Sequence, residues 1–557
     1  MKYKHLLFIF GILFSHLVTA QNEFITTWKP SNVQTQQPTN VTFPSAGNQV
    51  WAPFVGNNFS IYWEEKDYPA HHATLSNVTS TLNTLLDFGT AHNPNPNQAT
   101  YIVKVSNGNG NFHRIAFSQS TTTVNNLTGD NAKIIEINQW GNTLWSSMQN
   151  AFSGCKNMNL TATDTPNLSV ATDMSFMFSG CTSLIGNTSF NNWNISNITS
   201  LTATFSDCTL FNQPLGNWDT GNVTNMEVMF KMCYNFNQPI GNWNTSKVTA
   251  MTSMFFLARK FNQPIGNWDV GQVTDMEVMF SNAWDFNQNI HNWNTSEVLE
   301  MNNMFQGAKV FNQPIGSWNT SKVTTMQGMF NGALNFNQPI GNWDTSAVLS
   351  MSSMFLGATS FNQNIGTWNM SNVTAIDNMF FNATNFNQNL GTWSLNSLIS
   401  AYSMFLNSGL NCQNYDSTLY GWSLNPATPS NINLVDASPL IYTHPAAVVA
   451  RNYLINTKGW TITGDSYDDK CSSALSTQEI HLNSTGLQIY PNPATDFIYV
   501  KNLKGSHSYK IFDQAGRLIL KGDALKEKID IQTLPKGNYI LQIKSKELNK
   551  NFKITKK

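Results

Sequence analysis

A 25-residue unit repeats through the middle of the chain, and its strict period constrains the fold more than any other feature. Each unit is close to FNQPIGNW-DTS-x-VT-x-M-x-x-MF-x-x-A. Tryptophans mark it every 25 residues without one insertion: Trp193, Trp218, Trp243, Trp268, Trp293, Trp318, Trp343, Trp368 and Trp393. One unit cannot bury its own apolar face, so neighbouring units must stack to form a core. The period predicts a solenoid, which serves as an interaction surface more often than as a catalyst.

The apolar spacing inside one unit predicts a short strand followed by a short helix. In residues 236–260, apolar side chains recur three or four apart from Val248 to Ala258, as on one face of a helix. Ser246 precedes them at a position that suits an N-cap. Residues 236–240 are expected to form a short extended strand, because Pro239 removes one hydrogen-bond donor from any longer ladder.

Charge divides the chain into different parts. Charged residues make up 11% of the whole sequence, against about 25% in a typical domain. Residues 206–405 contain 6 Lys+Arg and 11 Asp+Glu, whereas residues 487–557 contain 14 Lys+Arg and 6 Asp+Glu. A shift this sharp marks a separate C-terminal module. Nucleic-acid binding needs clustered Lys and Arg, which the repeats lack, so we expect no nucleic-acid partner.

The first 20 residues have the pattern of a secretory signal peptide. Lys2 and Lys4 precede an apolar run at 6–14, and small residues then lead to a cleavage site between Ala20 and Gln21. A membrane anchor is the alternative, but the run is shorter than the ~20 residues that a span needs. No other segment reaches that length, so we expect no transmembrane span in the mature chain.

Four of the six cysteines occupy one repeat position, at intervals of 26, 27 and 25 residues: Cys155, Cys181, Cys208 and Cys233. Later units place alanine there, from Ala258 onward. Replacement of Cys by Ala predicts a small buried slot filled by free thiols, with disulfides between adjacent units as the competing interpretation. Cys412 and Cys471 flank the region after the repeats and could pair in an oxidising compartment.

No residue pattern indicates catalysis, a cofactor or a metal. The sequence contains no G-x-S-x-G, H-E-x-x-H or P-loop motif. His71 and His72, near Glu64 and Glu65, form the one cluster of metal-ligand types, but adjacent histidines rarely chelate one ion together. His291 stands where other repeats have glycine and is expected to be a tolerated turn residue. An Asp/Asn column in the repeats could ligate Ca²⁺, but turn and capping chemistry is the simpler explanation.

Residues that vary between units are the best candidates for recognition. The invariant Asn and Gln columns of FNQ are expected to form an amide ladder, and the tryptophans a core column, rather than a ligand site. Large apolar residues occupy repeat positions that are partly polar in the other units. They are Phe256, Trp284, Leu356 and Phe381. If exposed, they are candidate contact points for a partner. Drift on a solvated face is the alternative.

The repeat pattern W-[DN]-x-S-x-V-T-x-M-x-x-M-F with F-N-Q-[PN]-[IL]-G resembles the BspA-type leucine-rich repeat of bacterial surface proteins. Residues 139–169 resemble the opening coils of that family, and the likeness runs from about 134 to 465, including a C-terminal cap. It implies a leucine-rich-repeat-like solenoid, with a short strand and a short helix in each coil, on a protein that adheres to host or matrix partners. The chain departs from that family by using Met, Phe and Trp in place of most leucines.

The last module, residues 487–557, resembles the type A C-terminal sorting domain of type IX secretion. The residues that carry this likeness are Tyr490, Pro491, Asn492, Pro493, Gly516, Gly537 and Tyr539. Apolar alternation at 497–500 and 539–543 predicts a small antiparallel β-sandwich. The resemblance implies export by Sec to the periplasm of a Gram-negative bacterium. The secretion machinery would then carry the protein across the outer membrane, for release or surface attachment.

The complete prediction is a mixed fold of five segments. These are a signal peptide (1–20), an N-terminal β-sandwich-like domain with a likeness to PKD domains (21–133), the solenoid (134–465), a linker (466–486) and the sorting domain (487–557). The predicted function is a secreted or cell-surface adhesin or binding module for a protein or glycan, without enzyme activity. A structural cell-coat or spacer protein without a specific ligand is the alternative.

Overall fold

The computed structural model describes residues 22–34, 36–39, 41–119, 126–473, 475, 488–490, 493–501, 508–513, 516–523, 528–544 and 549–557. The chain divides into two compact units, Met1–Leu475 and Ser476–Lys557. The predicted signal cleavage site at Ala20 and Gln21 lies outside the described residues. The four boundaries between the five predicted segments stay predictions.

The N-terminal part is built from strands whose alternate residues are buried. They are β1 (Phe24–Trp28), β2 (Gln49–Ala52), β3 (Phe54–Glu65), β4 (Tyr68–Ser80), β5 (Thr84–Asp87), β6 (Tyr101–Ser106), β7 (Asn111–Ile115), β8 (Ile134–Gln139) and β9 (Asn159–Leu160). In β3, for example, Phe59, Ile61 and Trp63 all face the core, as the pleat of a strand requires. Short 3-10 helices lie at Pro96–Gln98 and Thr188–Asn192.

Seven of these strands form one sheet in the order β4-β3-β6-β1-β8-β9, with β7 also paired to β3. The remaining two, β2 and β5, form a separate antiparallel pair. The large sheet passes into the repeats through the parallel pairing of β8 with β9. Its core residues belong to the same buried cluster as the repeats. This part therefore does not have the two comparable sheets of the predicted sandwich.

The predicted leucine-rich-repeat-like solenoid, with a short strand and a short helix in each coil, is wrong. From Trp193 to Asn411 the chain forms turns and single parallel bridges, with no helix and no strand longer than one residue. Each bridging residue pairs with its equivalent in the next unit: Asp173–Ser200, Ser200–Asn225, Asn225–Ala250, Ala250–Asp275, Asp275–Glu300, Glu300–Thr325, Thr325–Ser350, Ser350–Ala375 and Ala375–Ser400. Consecutive 25-residue units thus stack in parallel and in chain order.

Left-handed backbone explains why the helix does not form. In the unit with Met251, Ser253 has a φ of 56° and Leu257 a φ of 60°, whereas a right-handed helix needs negative φ throughout. Both positions are left-handed in every unit, in one column from Asn150 and Phe176 to Ser403, and in the other from Gly154 and Gly180 to Asn407. The apolar spacing of three and four residues therefore belongs to consecutive turns.

Backbone hydrogen bonds between units replace the helix and strand ladders. The N–H groups of Val228, Phe230 and Met232 donate to carbonyls of the next unit at 2.9, 2.9 and 2.7 Å. The intervening residues donate three residues back, as Lys231 does to the Val228 carbonyl at 3.2 Å. Backbone donors are expensive to bury unpaired, so this alternation makes each unit depend on its neighbours.

Side-chain columns fill the interior of the stack. The indole Nε1 of Trp268 donates to the Ile240 carbonyl at 3.1 Å, and its ring lies 6.2 Å from that of Trp243 at an interplanar angle of 1°. The Asn237 Oδ1 accepts from the Asn262 N–H and the Gln263 Nε2, both at 2.9 Å. The predictions of a core tryptophan column and an amide ladder are confirmed.

The cysteines behave as expected for a small buried slot. Cys155, Cys181, Cys208 and Cys233 are free and fully buried, and the Cys208 Sγ donates to the Phe178 carbonyl at 3.1 Å. Burial raises the pKa of the Cys208 thiol well above its usual value, so these thiols are poor nucleophiles. The predicted Cys412–Cys471 disulfide is present.

Two helices close the stack after the last regular unit, α1 (Cys412–Leu424) and α2 (Pro445–Asn456). Two parallel strand pairs accompany them: β10 (Asn433–Leu434) with β12 (Thr461–Ile462), and β11 (Ile441–Tyr442) with β13 (Ser466–Tyr467). The Trp422 indole of α1 donates to the Leu390 carbonyl at 2.9 Å, and so continues the tryptophan column. Capping by an atypical terminal segment protects an otherwise open core.

The C-terminal unit contains two antiparallel sheets that share one core. Its strands are β14 (Gln488–Tyr490), β15 (Phe497–Lys501), β16 (Ser508–Phe512), β17 (Leu518–Asp523), β18 (Lys528–Asp530), β19 (Gly537–Lys544) and β20 (Asn549–Lys556). The sheet orders are β14-β15-β18 and β17-β16-β19-β20. Ile498 and Ile529 of the first sheet and Ile511, Leu541 and Ile554 of the second belong to one buried cluster.

Candidate binding surface

The structure separates the four residues that the sequence singled out. Phe256, Leu356 and Phe381 share one repeat position, and Trp284 lies three residues farther along its own unit. All four are half-buried. Leu356 and Phe381 are in adjacent units, with the Gly357 N–H bonded to the Phe381 carbonyl at 2.7 Å. Phe256 lies four units before Leu356, roughly 20 Å away at ~4.8 Å per unit. The four side chains therefore do not form one compact patch.

Trp284 instead belongs to a row of alternating rings and cations. The Arg259 guanidinium lies 4.5 Å from the Tyr234 ring centroid and 4.4 Å from that of Trp284. In the next unit, the Lys309 Nζ lies 4.1 Å from the centroid of the Trp284 ring. These distances are within the ~6 Å of a cation–π contact. We call the four residues Tyr234, Arg259, Trp284 and Lys309 the cation–aromatic ladder.

The 25-residue period creates this ladder. Its members directly follow the buried slot that holds Cys233, Ala258, Ala283 or Ala308. Because each unit is translated by one step, residues 25 apart in the sequence are neighbours across the stack. Tyr234, Arg259 and Trp284 are half-buried, whereas Lys309 is exposed.

Arg259 has no side-chain hydrogen-bond acceptor among the described residues. Its guanidinium forms no hydrogen bond or ion pair with any described residue, and its buried Nε lacks a partner. Of the six Lys and Arg residues in 206–405, four lie on the ladder or within three residues of it: Lys231, Arg259, Lys260 and Lys309. The one acidic residue adjoining the ladder is the exposed Asp285. The ladder is thus a local positive site on a repeat stack that is negative as a whole.

Acidic residues concentrate elsewhere, at and beside the bridging positions. Burial first, and then the charges of Asp275 and Glu300, raise the pKa of Glu277. Glu227 occupies the equivalent position two units earlier. Within the described residues, no group of three or more His, Cys, Asp or Glu is arranged to hold a metal ion.

The histidine cluster of the N-terminal sheet is a structural contact. Burial raises the pKa of Glu65, but a 2.6 Å hydrogen bond with the His71 Nδ1 and backbone donors at His92 and Asn93 outweigh it, so the pKa is lowered. His72 lies instead against the Tyr62 ring, at 5.6 Å between centroids. His92 was not predicted from the sequence, and its ring stacks on that of His71 at 4.3 Å between centroids. In the repeats, the exposed His291 bonds to Asn289 within its own turn at 2.8 Å.

The residues of the C-terminal motif are placed as follows. Tyr490 ends β14, Pro493 is exposed, and Pro491 and Asn492 lie outside the described residues. Gly516 has a φ of +79° in the turn between β16 and β17, where a side chain would be strained. Gly537 begins β19, and the Tyr539 hydroxyl donates to the Pro535 carbonyl at 2.8 Å.

Comparison with known families divides the chain in the same way as its charge does. A family described as Mycoplasma protein of unknown function, DUF285, matches residues 146–259, 239–327 and 301–418. The secretion system C-terminal sorting domain matches residues 488–557. No curated protein gives a significant match to the chain.

The sorting domain indicates export by type IX secretion, and so a secreted or cell-surface protein that interacts with the secretion machinery. None of the helices in the described ranges is long and apolar enough to cross a membrane. The protein is therefore an exported repeat protein, whose repeat part is similar to a family without a known function.

Proposed function

We propose that this chain is a secreted or cell-surface binding protein, an adhesin that presents its repeat stack to a protein or glycan partner. The observation that supports this proposal is the cation–aromatic ladder. Its ring and cation side chains are half-buried or exposed, and the Arg259 Nε has no hydrogen-bond partner among the described residues.

Most other polar columns of the repeats are used inside the stack. The Asn and Gln columns bond to the next unit, and the Thr245 hydroxyl donates to the Asp269 carbonyl at 2.8 Å. A polar group that already has its partners gains little from a ligand. Recognition is therefore expected at positions that vary between units, which is where the ladder lies. Variable contact residues on a regular scaffold are typical of repeat-protein binding surfaces.

The likeness of the repeat pattern to BspA-type surface proteins is consistent with adhesion, and we include that relationship in the proposal. We further propose that the protein has no enzyme activity of its own. Within the described residues, the hydrogen-bonded pair of Glu65 and His71 forms a structural contact of the N-terminal sheet.

A structural coat or spacer protein is the second candidate. It is favoured by the separation of Phe256 from Leu356 and Phe381, because these side chains do not form one apolar patch for a partner. The distance of roughly 20 Å along the stack exceeds the reach of one side-chain cluster.

The test is binding of the purified mature protein to arrayed matrix proteins and glycans. A variant with Phe256, Trp284, Leu356 and Phe381 changed to Ser reports on the residues predicted from the sequence. Its control changes the exposed Ile399 and Leu349 to Ser, at 73% and 53% exposure. Saturable binding by the parent protein supports the adhesin. A folded parent protein that binds none of the arrayed partners favours the coat or spacer role.

A further inference from the structure

We propose that the cation–aromatic ladder binds an acidic, partly aliphatic polypeptide segment of a partner protein, with Arg259 as the central carboxylate-binding residue. This inference rests on the proposed binding function and assigns the chemistry of the partner.

Arg259 is held in a position to bind a carboxylate before any ligand arrives. The rings of Tyr234 and Trp284 cover the guanidinium at 4.5 and 4.4 Å, which fixes its plane. A guanidinium is always charged and presents a rigid fork that matches a carboxylate bidentately. Because the rings already restrict the side chain, a ligand has less rotamer freedom to remove.

The same rings are poor platforms for a sugar. Trp284 has Arg259 and Lys309 at 4.4 and 4.1 Å from its ring centroid. Stacking by a neutral sugar would displace a cation from the ring. The ladder therefore favours a ligand that bonds to the cations from the side.

Aliphatic side chains beside the ladder favour a polypeptide over an acidic polysaccharide. Val310 directly follows Lys309, and Leu334 occupies the ladder position of the next unit. They are 36% and 40% exposed. A segment that alternates carboxylates with aliphatic side chains complements both groups, whereas a polyuronate has no aliphatic side chains to bury.

The charge pattern of the repeats also selects the place of binding. Glu227, Asp275, Glu277 and Glu300 would repel an acidic segment from the bridging positions. Attraction at the ladder and repulsion elsewhere fix the register of a partner more than they raise its affinity.

The test uses the whole mature protein and a fluorescent peptide of alternating Glu and Leu. A Gln-Leu peptide of equal length and a polyuronate are the comparison probes. We expect saturable binding of the Glu-Leu peptide that weakens as salt is raised, and weaker binding of both comparison probes.

Substitutions then locate the site. R259Q is expected to weaken the peptide affinity about tenfold or more, because it removes the central charged donor. R259K is expected to have an intermediate effect, since it keeps the charge and loses the fork. K309Q should weaken binding about threefold, and it tests the ladder independently if R259Q fails to fold. The control is K322Q. The Lys322 Nζ lies 2.7 Å from the Glu297 carboxylate, and this pair is not part of the ladder.

Three outcomes would overturn the inference. They are equal affinity for the Gln-Leu peptide, preference for the polyuronate, and unchanged affinity in both R259Q and K309Q with retained thermal stability. If the protein binds an arrayed partner but R259Q and K309Q bind it equally well, the adhesin stands and the acidic-segment site does not.

Discussion

The N-terminal region mixes edge-to-face and stacked aromatic contacts, whereas equivalent rings of successive repeats lie nearly parallel. In the sheet region, Phe24 meets Trp145 at 85° and Trp28 meets Phe54 at 90°. In the repeats, Phe355 and Phe380 are 5.7 Å apart and only 3° from parallel. A repeated unit that is translated by one step must place equivalent rings parallel, whereas a sheet of unique residues is free to adopt edge-to-face contacts.

The comparison shows how translation turns one residue into a row. In the N-terminal sheet, Glu65 meets three different donors that occur once. In the repeats, the same contact recurs from unit to unit. A residue substituted at one position therefore contacts the residues at the same position in the units before and after it. The cation–aromatic ladder arises in this way. Rings and cations alternate at one repeat position in successive units, and the stacking brings each ring next to a cation.

The largest effect is expected from breaking the tryptophan column. Trp268→Ala should lower the free energy of unfolding by about 3–5 kcal/mol, because it leaves a large cavity and removes the donor to the Ile240 carbonyl. Urea unfolding followed by tryptophan fluorescence measures it, since all 17 tryptophans precede residue 476. Ile399→Ala, at a 73% exposed position, should change stability by no more than about 0.5 kcal/mol. Equal effects would show that the column does not hold the stack together.

The amide ladder should matter less than the tryptophan column. Asn262→Ala removes the acceptor of the Asn287 N–H at 3.0 Å and of the Gln288 Nε2 at 2.8 Å. We expect a loss of about 1–2 kcal/mol in the same unfolding experiment, because a backbone donor is left unpaired. The comparison residue is the exposed Asn95, whose side chain makes no capping bond in the N-terminal region. An unchanged free energy of unfolding in Asn262→Ala would mean that water replaces the hydrogen bonds of the amide ladder at no cost in stability.

Glycine substitutions test whether left-handed backbone is strained in the repeats but not in the N-terminal region. Gly332 has a φ of +69°, and a Cβ added there would lie in ordinary van der Waals contact with the Gly307 Cα at 3.7 Å. Gly332→Ala should therefore cost about 1 kcal/mol from left-handed strain alone. Gly47→Ala, where nothing lies within 4 Å, should be neutral or slightly stabilising. Thermal unfolding of both variants measures the difference, and a stabilised Gly332→Ala would refute the strain.

The smallest effect is a difference in acid stability. The pKa of Glu65 is lowered from 4.5, so its stabilising contribution is complete above that value and is lost as pH falls through the folded-state pKa. The parent protein should therefore lose stability more steeply than Glu65→Gln on acidification below pH 4.5. Urea midpoints measured at several pH values provide the check. Parallel curves for parent and variant would mean that His71 and the backbone donors do not shift this carboxyl.

Much of the interior followed from the sequence. The tryptophan column, the amide ladder and the buried cysteine slot were predicted and confirmed, because a strict period fixes which residues are equivalent. The Cys412–Cys471 pairing was left open by the sequence, and the disulfide is present. The sorting domain was recognised from its motif. Of the ladder residues, only Trp284 was predicted as a contact point, although ring and cation alternate at 25-residue intervals in the sequence.

The sequence by itself determined the period, the buried positions and the route of export, because these depend on residue type and spacing. Only the tertiary structure decided that each unit forms turns and single bridges rather than a strand and a helix. Apolar residues three and four apart suit a helix and consecutive turns equally, and residues such as Val278 and Leu257 give no sign that they adopt positive φ. Their conformation is imposed by hydrogen bonds to the neighbouring units, as is the distance that brings Arg259 between two rings.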